Sequence, residues 1–140
     1  MSTLDKIRRI YEVLETQKKF DRVLKKVKIV AAEPGKVVAE LIVEEEHQNA
    51  SGTLHGGFTA TLIDVLTSLA LVSGENGRPG VSVDLNVMYI GTAKIGDLVT
   101  ITAEALKVGR TMGFATAELK LPDGKLVARA NHTKHLGPSL

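Results

Sequence analysis

Residues 55–74 read HGGFTATLIDVLTSLALVSG, and their pattern decides the fold. Phe58, Ala60, Leu62, Ile63, Val65, Leu66, Leu69, Ala70, Leu71 and Val72 leave few polar breaks. A helix this apolar around its whole circumference has no face to give to water and is buried. Gly56-Gly57 opens the segment, while Gly74 and Gly77 supply stop signals. The rest of the chain must therefore provide a layer that wraps this helix.

That layer reads as strands. On the C-terminal side, Val81, Val83, Leu85, Val87 and Tyr89 alternate with Ser82, Asp84 and Asn86, the period of two that a strand requires. Val99, Ile101, Ala103 and Ala105 alternate in the same way with Thr100, Thr102 and Glu104. A turn at Val108-Gly109-Arg110 leads to a strand over 111–121, and Pro122-Asp123-Gly124 leads to another over 125–135. On the N-terminal side, two β-rich stretches at about 23–32 and 36–45 flank Glu33-Pro34-Gly35, a turn signal that predicts a hairpin. Residues 44–52 are polar and read as a loop. Leu4, Ile7, Tyr11 and Leu14 recur at helical spacing among charged positions, which predicts an amphipathic helix over 4–19 laid on something larger. The order is helix, two strands, buried helix, four strands. The fold class is α+β, with an antiparallel six-stranded sheet wrapped around the long central helix.

The 140 residues fit one domain, 1–140. Aromatics make up 4% and Trp is absent, so Val, Leu, Ile and Ala must form the core. A net charge of +2 lacks the concentrated basic face of a nucleic-acid binder, yet suits a small anionic ligand. With no cysteine there is no disulfide framework, thiolate nucleophile or Cys-based zinc site. No apolar run reaches the expected length of a membrane span. The N-terminus lacks the hydrophobic region of a signal peptide. Its basic amphipathic character is that of a mitochondrial presequence, against which Asp5, Glu12 and Glu15 argue. No G-x-S-x-G elbow, Walker loop or G-x-G-x-x-G occurs.

Two features of the central segment carry chemistry. Asp64 sits inside the most apolar helix of the chain, where a lone carboxylate is costly to bury unless paired or hydrogen-bonded. Desolvation makes a carboxylate a stronger base, so one reading is a general base. The other is a structural acid bonded to backbone or to Thr61, Thr67 or Ser68. His55-Gly56-Gly57 lies at the helix start, where free N–H groups and the helix dipole favour negative charge. Glycine allows close approach to the backbone, and such N–H groups bind the oxyanion formed when a thioester carbonyl is attacked. A bland alternative is that Gly-Gly ends a loop and His55 neighbours a cap. Gly56 and Asp64 are eight residues apart, about 12 Å along a helix. That is too far to grip one carbonyl within one subunit. Two antiparallel helices across a dimer would bring Asp64 of one chain to Gly56 of the other. Ser82 is a candidate to hold a water beside Asp64, or simply a solvent-facing strand residue. Asn49 is a candidate second donor to the carbonyl, or a turn residue. His132 and His135 sit three apart on a strand and so point to opposite faces, which argues against a shared metal. Lys94, Lys107, Arg110, Lys134 and His135 sit at strand ends or turns and could meet phosphates, or form a solvated basic rim.

The run NASGTLHGGFTATLID over 49–64 resembles the signature of hotdog-fold acyl-CoA thioesterases. FDRVL at 20–24, PGKV at 34–37, VEEEH at 43–47, PGVSVD at 79–84 and HTKHLG at 132–137 extend the resemblance over nearly the whole chain. It implies hydrolysis of medium- to long-chain fatty acyl-CoA by a hotdog dimer paired into a homotetramer, in cytosol and at mitochondria. No cofactor is implied beyond the CoA of the substrate. It also implies that Gly56 N–H and Asn49 polarise the carbonyl, and that Asp64 and Ser82 of the opposite subunit orient and activate water. His55 would position Asn49 or the thioester. CoA would lie along Tyr89-Ile90-Gly91-Thr92-Ala93-Lys94, Lys107-Val108-Gly109-Arg110-Thr111-Met112 and His135. Two alternatives on the same fold are a non-catalytic acyl-CoA-binding module and a hydroxyacyl-thioester dehydratase. An acid rather than a histidine on the central helix argues against the dehydratase.

Overall fold

The structure, a computed structural model, describes residues 1–137. Helix α1 (Thr3–Thr16) is followed by a 3₁₀ turn (Phe20–Leu24), strands β1 (Lys28–Glu33) and β2 (Lys36–Ile42), and a second 3₁₀ turn (Glu45–His47). Helix α2 (Gly56–Ser73) and strands β3 (Val81–Tyr89), β4 (Leu98–Val108), β5 (Met112–Lys120) and β6 (Leu126–His135) complete the chain. The six strands form one antiparallel sheet in the order β1-β2-β4-β5-β6-β3. Its concave face closes on α2, the hotdog arrangement read from the sequence.

Alternation decides which side chains meet the helix. Val37, Ala39 and Leu41 of β2, Val99, Ile101 and Ala103 of β4, Ala115, Ala117 and Leu119 of β5, and Ala128 and Ala130 of β6 are all buried. Leu62, Ile63, Leu66, Leu69, Ala70 and Leu71 meet them from α2. Each fully buried aliphatic side chain contributes about 1.5–3 kcal/mol of apolar transfer free energy. The many alanines keep the sheet surface low, so the helix sits close. At Gly113 an added Cβ would lie 3.2 Å from the Leu71 and Leu136 side chains.

Helix α1 starts in a capping box: Ser2 Oγ accepts from Asp5 N at 3.1 Å and Asp5 returns a carboxylate oxygen to Ser2 N at 3.3 Å. Its buried Ile7 and Tyr11 pack toward β1, and the Tyr11 hydroxyl donates to the Leu24 carbonyl at 2.6 Å.

Three expectations change. The predicted strand over 23–32 begins only at Lys28, because Leu24 and Val27 point inward at the three-residue spacing of a tight turn, not the alternation of a strand. The polar loop after β2 contains a 3₁₀ turn, held by Glu44 N donating to His47 Nδ1 at 2.9 Å. Helix α2 is, by length and composition, apolar enough to cross a membrane, contrary to the expectation that no run would be. Most of its residues are buried against the sheet, which is how a core helix satisfies the same composition.

Candidate active site

The start of α2 is sewn between two parts of the fold. Asn49 N donates to Thr53 O at 2.8 Å, Leu54 N to Ala93 O at 2.8 Å, and His55 N to His47 O at 2.8 Å. The Asn49 side chain is spent largely inside this turn. Its Oδ1 accepts from Ser51 N and Thr53 N, and its Nδ2 donates to Thr53 Oγ1 at 2.9 Å. The amide is thus held in one orientation with its second hydrogen left over.

His55 is the N-cap of α2. Its Nδ1 accepts from Gly57 N at 2.9 Å and from Phe58 N at 3.3 Å. This fixes the tautomer with the proton on Nε2. Nδ1 thus positions the helix terminus, and no bond joins His55 to the Asn49 side chain among the described residues. The cap consumes two N–H groups and leaves that of Gly56 without an acceptor among the described residues. A Cβ on Gly57 would lie 2.9 Å from the His55 ring, so the second glycine makes room for the cap.

Two turns further on, Asp64 is not the buried acid that the sequence predicts. Its side chain is 48% exposed, at the edge of α2 beside β6. Its Oδ1 lies 3.9 Å from Nε2 of His132, a fully buried residue of β6. The same Nε2 lies 2.7 Å from Ser82 Oγ, and Nδ1 lies 2.7 Å from Thr67 Oγ1. Thr67 gives its hydroxyl hydrogen to Ile63 O at 2.7 Å. Nδ1 must then be the donor to Thr67, and the lone pair of Nε2 accepts from Ser82. Burial pushes the His132 imidazole below its ordinary value, against the field of Asp64, which favours this neutral state. The Ser82 hydrogen is thereby directed at His132, which leaves the second lone pair of its oxygen open.

Sequence reasoning set His132 aside as half of an unsuitable metal pair. The faces are as expected, with His132 buried and His135 exposed. The signal that could have found it was the polar pair His132 and Lys134 on the inward face of a strand otherwise lined by alanine.

A profile of the thioesterase superfamily matches residues 51–128. Human acyl-coenzyme A thioesterase 13 is 48% identical over 137 residues, 97% of this chain and 98% of the human protein. The chain belongs to the thioesterase superfamily. Zebra fish thioesterase superfamily member 2 has a crystal structure that superposes with a TM-score of 0.94 at 50% identity, covering 98% of this chain and 99% of the fish chain. A Streptococcus mutans protein solved bound to acetyl-CoA superposes at 0.77 with 25% identity, covering 89% and 98% of the two chains.

In this thioesterase the predicted CoA-contacting segments fall into two groups. Met112 pairs with His135, which also pairs with Val81, so residues 107–112 and His135 gather at one end of β3 and β6. Tyr89 pairs with Ala128 at the other end, and Lys94 bridges to Thr53. The length of β3, nine residues, puts about 26 Å between the groups. One protomer does not bring them together. At the first end a cleft of about 460 Å³ lies among Arg78, Val108, Gly109 and Arg110. Arg78, not singled out from the sequence, donates to the carbonyls of Arg110 at 2.8 Å and Gly137 at 3.2 Å and so shapes this cleft. A second cleft, about 560 Å³, opens between the first 3₁₀ turn and the start of α2, walled by Phe20, Val23, Phe58 and Thr61.

Proposed function

We propose that this thioesterase hydrolyses medium- to long-chain fatty acyl-CoA to free fatty acid and CoA, at a site made by two copies of the chain. The observation that carries the reading is the pairing of half-exposed Asp64 with the His132–Ser82 bond, on the same helix whose first residue, Gly56, offers an uncommitted N–H. The two halves of that site are about two helical turns apart, beyond the reach of one carbonyl group. Antiparallel α2 helices in a dimer bring each Asp64 to the partner's Gly56.

The edge strand supports the dimer. Among the described residues strand β3 pairs only with β6, and its Val81, Val83, Met88 and Tyr89 are exposed. A nine-residue edge strand with these apolar side chains exposed is a template for strand pairing with another chain. Assembly of such dimers into a tetramer accounts for CoA segments that one protomer keeps apart. The cleft beside Phe20 and Phe58 adjoins Gly57 and has the size and apolar walls of a small-molecule pocket. It suits the acyl chain.

The reaction follows from these positions. A water bound by Ser82 Oγ and Asp64 loses a proton to Asp64 as its oxygen attacks the thioester carbon. The carbonyl oxygen, now an anion, accepts from Gly56 N–H and the spare hydrogen of Asn49. Collapse of the tetrahedral adduct breaks the C–S bond, and the departing thiolate takes the proton that Asp64 accepted, which returns Asp64 to the carboxylate. Attack by the carboxylate itself, through an acyl–Asp64 anhydride, is the alternative route to the same products. Asp64→Asn tests the reading. It retains the size and exposure of the side chain, so the variant folds, and it loses about 10²–10⁴ in turnover on decanoyl- or palmitoyl-CoA. Near-normal thiol release by a folded Asp64→Asn variant would remove Asp64 from the reaction. A single turnover in H₂¹⁸O separates the routes, because only the anhydride places the label in the enzyme carboxylate first.

A further inference from the structure

Lys134 is the only lysine or arginine buried among the described residues, at 5% exposure. Strand alternation puts it on the same inward face as His132. Its ammonium donates to Ser68 Oγ at 2.5 Å, and Ser68 donates to the Asp64 carbonyl at 2.7 Å. No carboxylate lies within ion-pair distance of it among the described residues. A buried charge held by one hydroxyl is costly to keep, and packing alone would be better served by an aliphatic side chain. Nothing in the water-activating set Asp64, His132 and Ser82 uses it.

Its surroundings give it a task. Among the described residues the titratable groups that feel the charge of Asp64 are Asp21 from the first 3₁₀ turn, His132 of β6, 3.9 Å away, and Lys134 of β6, with Asp84 of β3 acting on His132. Asp21 adds negative charge, and burial keeps His132 neutral. A second copy covering this edge of α2 would strip water from Asp64, and desolvation favours the neutral acid, which cannot accept a proton from water.

We propose that Lys134, held by Ser68, is a positioning residue: the fixed counter-charge that keeps Asp64 an anion in the assembled site. This rests on Asp64 being the base. Lys134 reaches the Asp64 turn of α2 through Ser68, and burial lowers its ammonium from the ordinary value while the Asp64 field opposes that.

The test is the pH dependence of turnover on decanoyl-CoA by the intact oligomer, for wild type, Lys134→Met and Lys134→Arg. In Lys134→Met the acid limb moves up by about one pH unit. Turnover below the limb then falls about tenfold, while the alkaline plateau and KM stay within a few-fold. Lys134→Arg restores the limb. Lys134 also depresses His132, so the carboxyl ¹³C signal of Asp64, identified by its loss in Asp64→Asn, is titrated alongside. Its midpoint rises in Lys134→Met. An unmoved midpoint, or a loss of activity equal at every pH, overturns the proposal. If Lys134→Met does not fold, Ser68→Ala, which frees the ammonium from its hydroxyl, carries the same expectation with a smaller shift, and an unmoved midpoint there overturns it. An Asp64→Asn variant with normal turnover would defeat the base assignment itself. An inactive one, with an unmoved midpoint in Lys134→Met, defeats the counter-charge alone.

Discussion

The Tyr89 hydroxyl donates to the Gly56 carbonyl at 2.7 Å, tying the last residue of the edge strand to the first residue of α2. An added Cβ at Gly56 would sit 3.4 Å from the Tyr89 ring, in ordinary contact. Gly56→Ala therefore folds, with a melting temperature close to wild type. The methyl group stands beside the N–H to which the proposed reaction assigns the oxyanion. Loss of one such donor costs about 10²–10³ in turnover. Tyr89→Phe keeps the ring and loses only a half-exposed bond, so its turnover falls by less than about tenfold. Steady-state kinetics of the two variants, with thermal melts, check the pair. Equal damage from both would assign the effect to the tether rather than to the N–H.

The cap makes a second prediction. His55→Ala removes the acceptor for Gly57 N and Phe58 N. Loss of an N-cap costs about 0.5–2 kcal/mol. Gly57→Ala drives a Cβ into the His55 ring and displaces the same acceptor. Urea unfolding of both single variants and the double variant shows strong non-additivity, the double losing little more than the worse single. Additive losses would mean that the glycine serves something other than the cap.

Burial lowers both His47 and His132 from the ordinary value of 6.5. Between the depressed folded value and 6.5 the unfolded chain binds more protons, so stability rises with pH through that window. The contribution is complete above about 6.5 and is lost as pH falls through the folded value. Unfolding free energy from urea titrations at pH 5 to 8 should climb with pH. The climb should be shallower in His47→Asn and in His132→Asn. The same slope in all three proteins would show that carboxylates alone set it.

The fold was legible because α2 has no polar face: a helix like that must be covered, and alternating strands on either side name what covers it. The N-terminal edge was less so. Val23 to Val27 carry the β-branched and basic residues of a strand, and only the tertiary burial of Leu24 and Val27 makes them a turn. The site divides in the same way. Asp64 stood out as an acid among aliphatics, but the sequence placed it on a fully buried helix, whereas its side chain is half-exposed at one edge of α2. His132 was hidden because its partners, Thr67 and Ser82, lie 65 and 50 residues away. Strand order, which puts β6 between β5 and β3, is what brings them together, and no local pattern encodes it.

The edge strand and the divided site make the last prediction together. A lysine at Val83 or Met88, both exposed on β3, places charge on the edge where the proposed dimer pairs a second strand. Sedimentation of Val83→Lys should give a monomer, and its turnover should fall with its loss of assembly. The stronger test mixes two inactive proteins. Asp64→Asn keeps a sound Gly56 end, and Gly56→Ala keeps a sound Asp64 end. If each site takes one end from each chain, a heterodimer of the two variants contains one site with both defects and one with neither. Random re-pairing after mild dissociation makes half of all dimers heterodimers, each with one intact site of two, so activity returns to about a quarter of wild type. If both ends of a site came from the same chain, every site would keep a defect and mixing would restore nothing. Recovery after mixing, absent when the re-pairing step is omitted, requires the acid and the amide to meet across the interface.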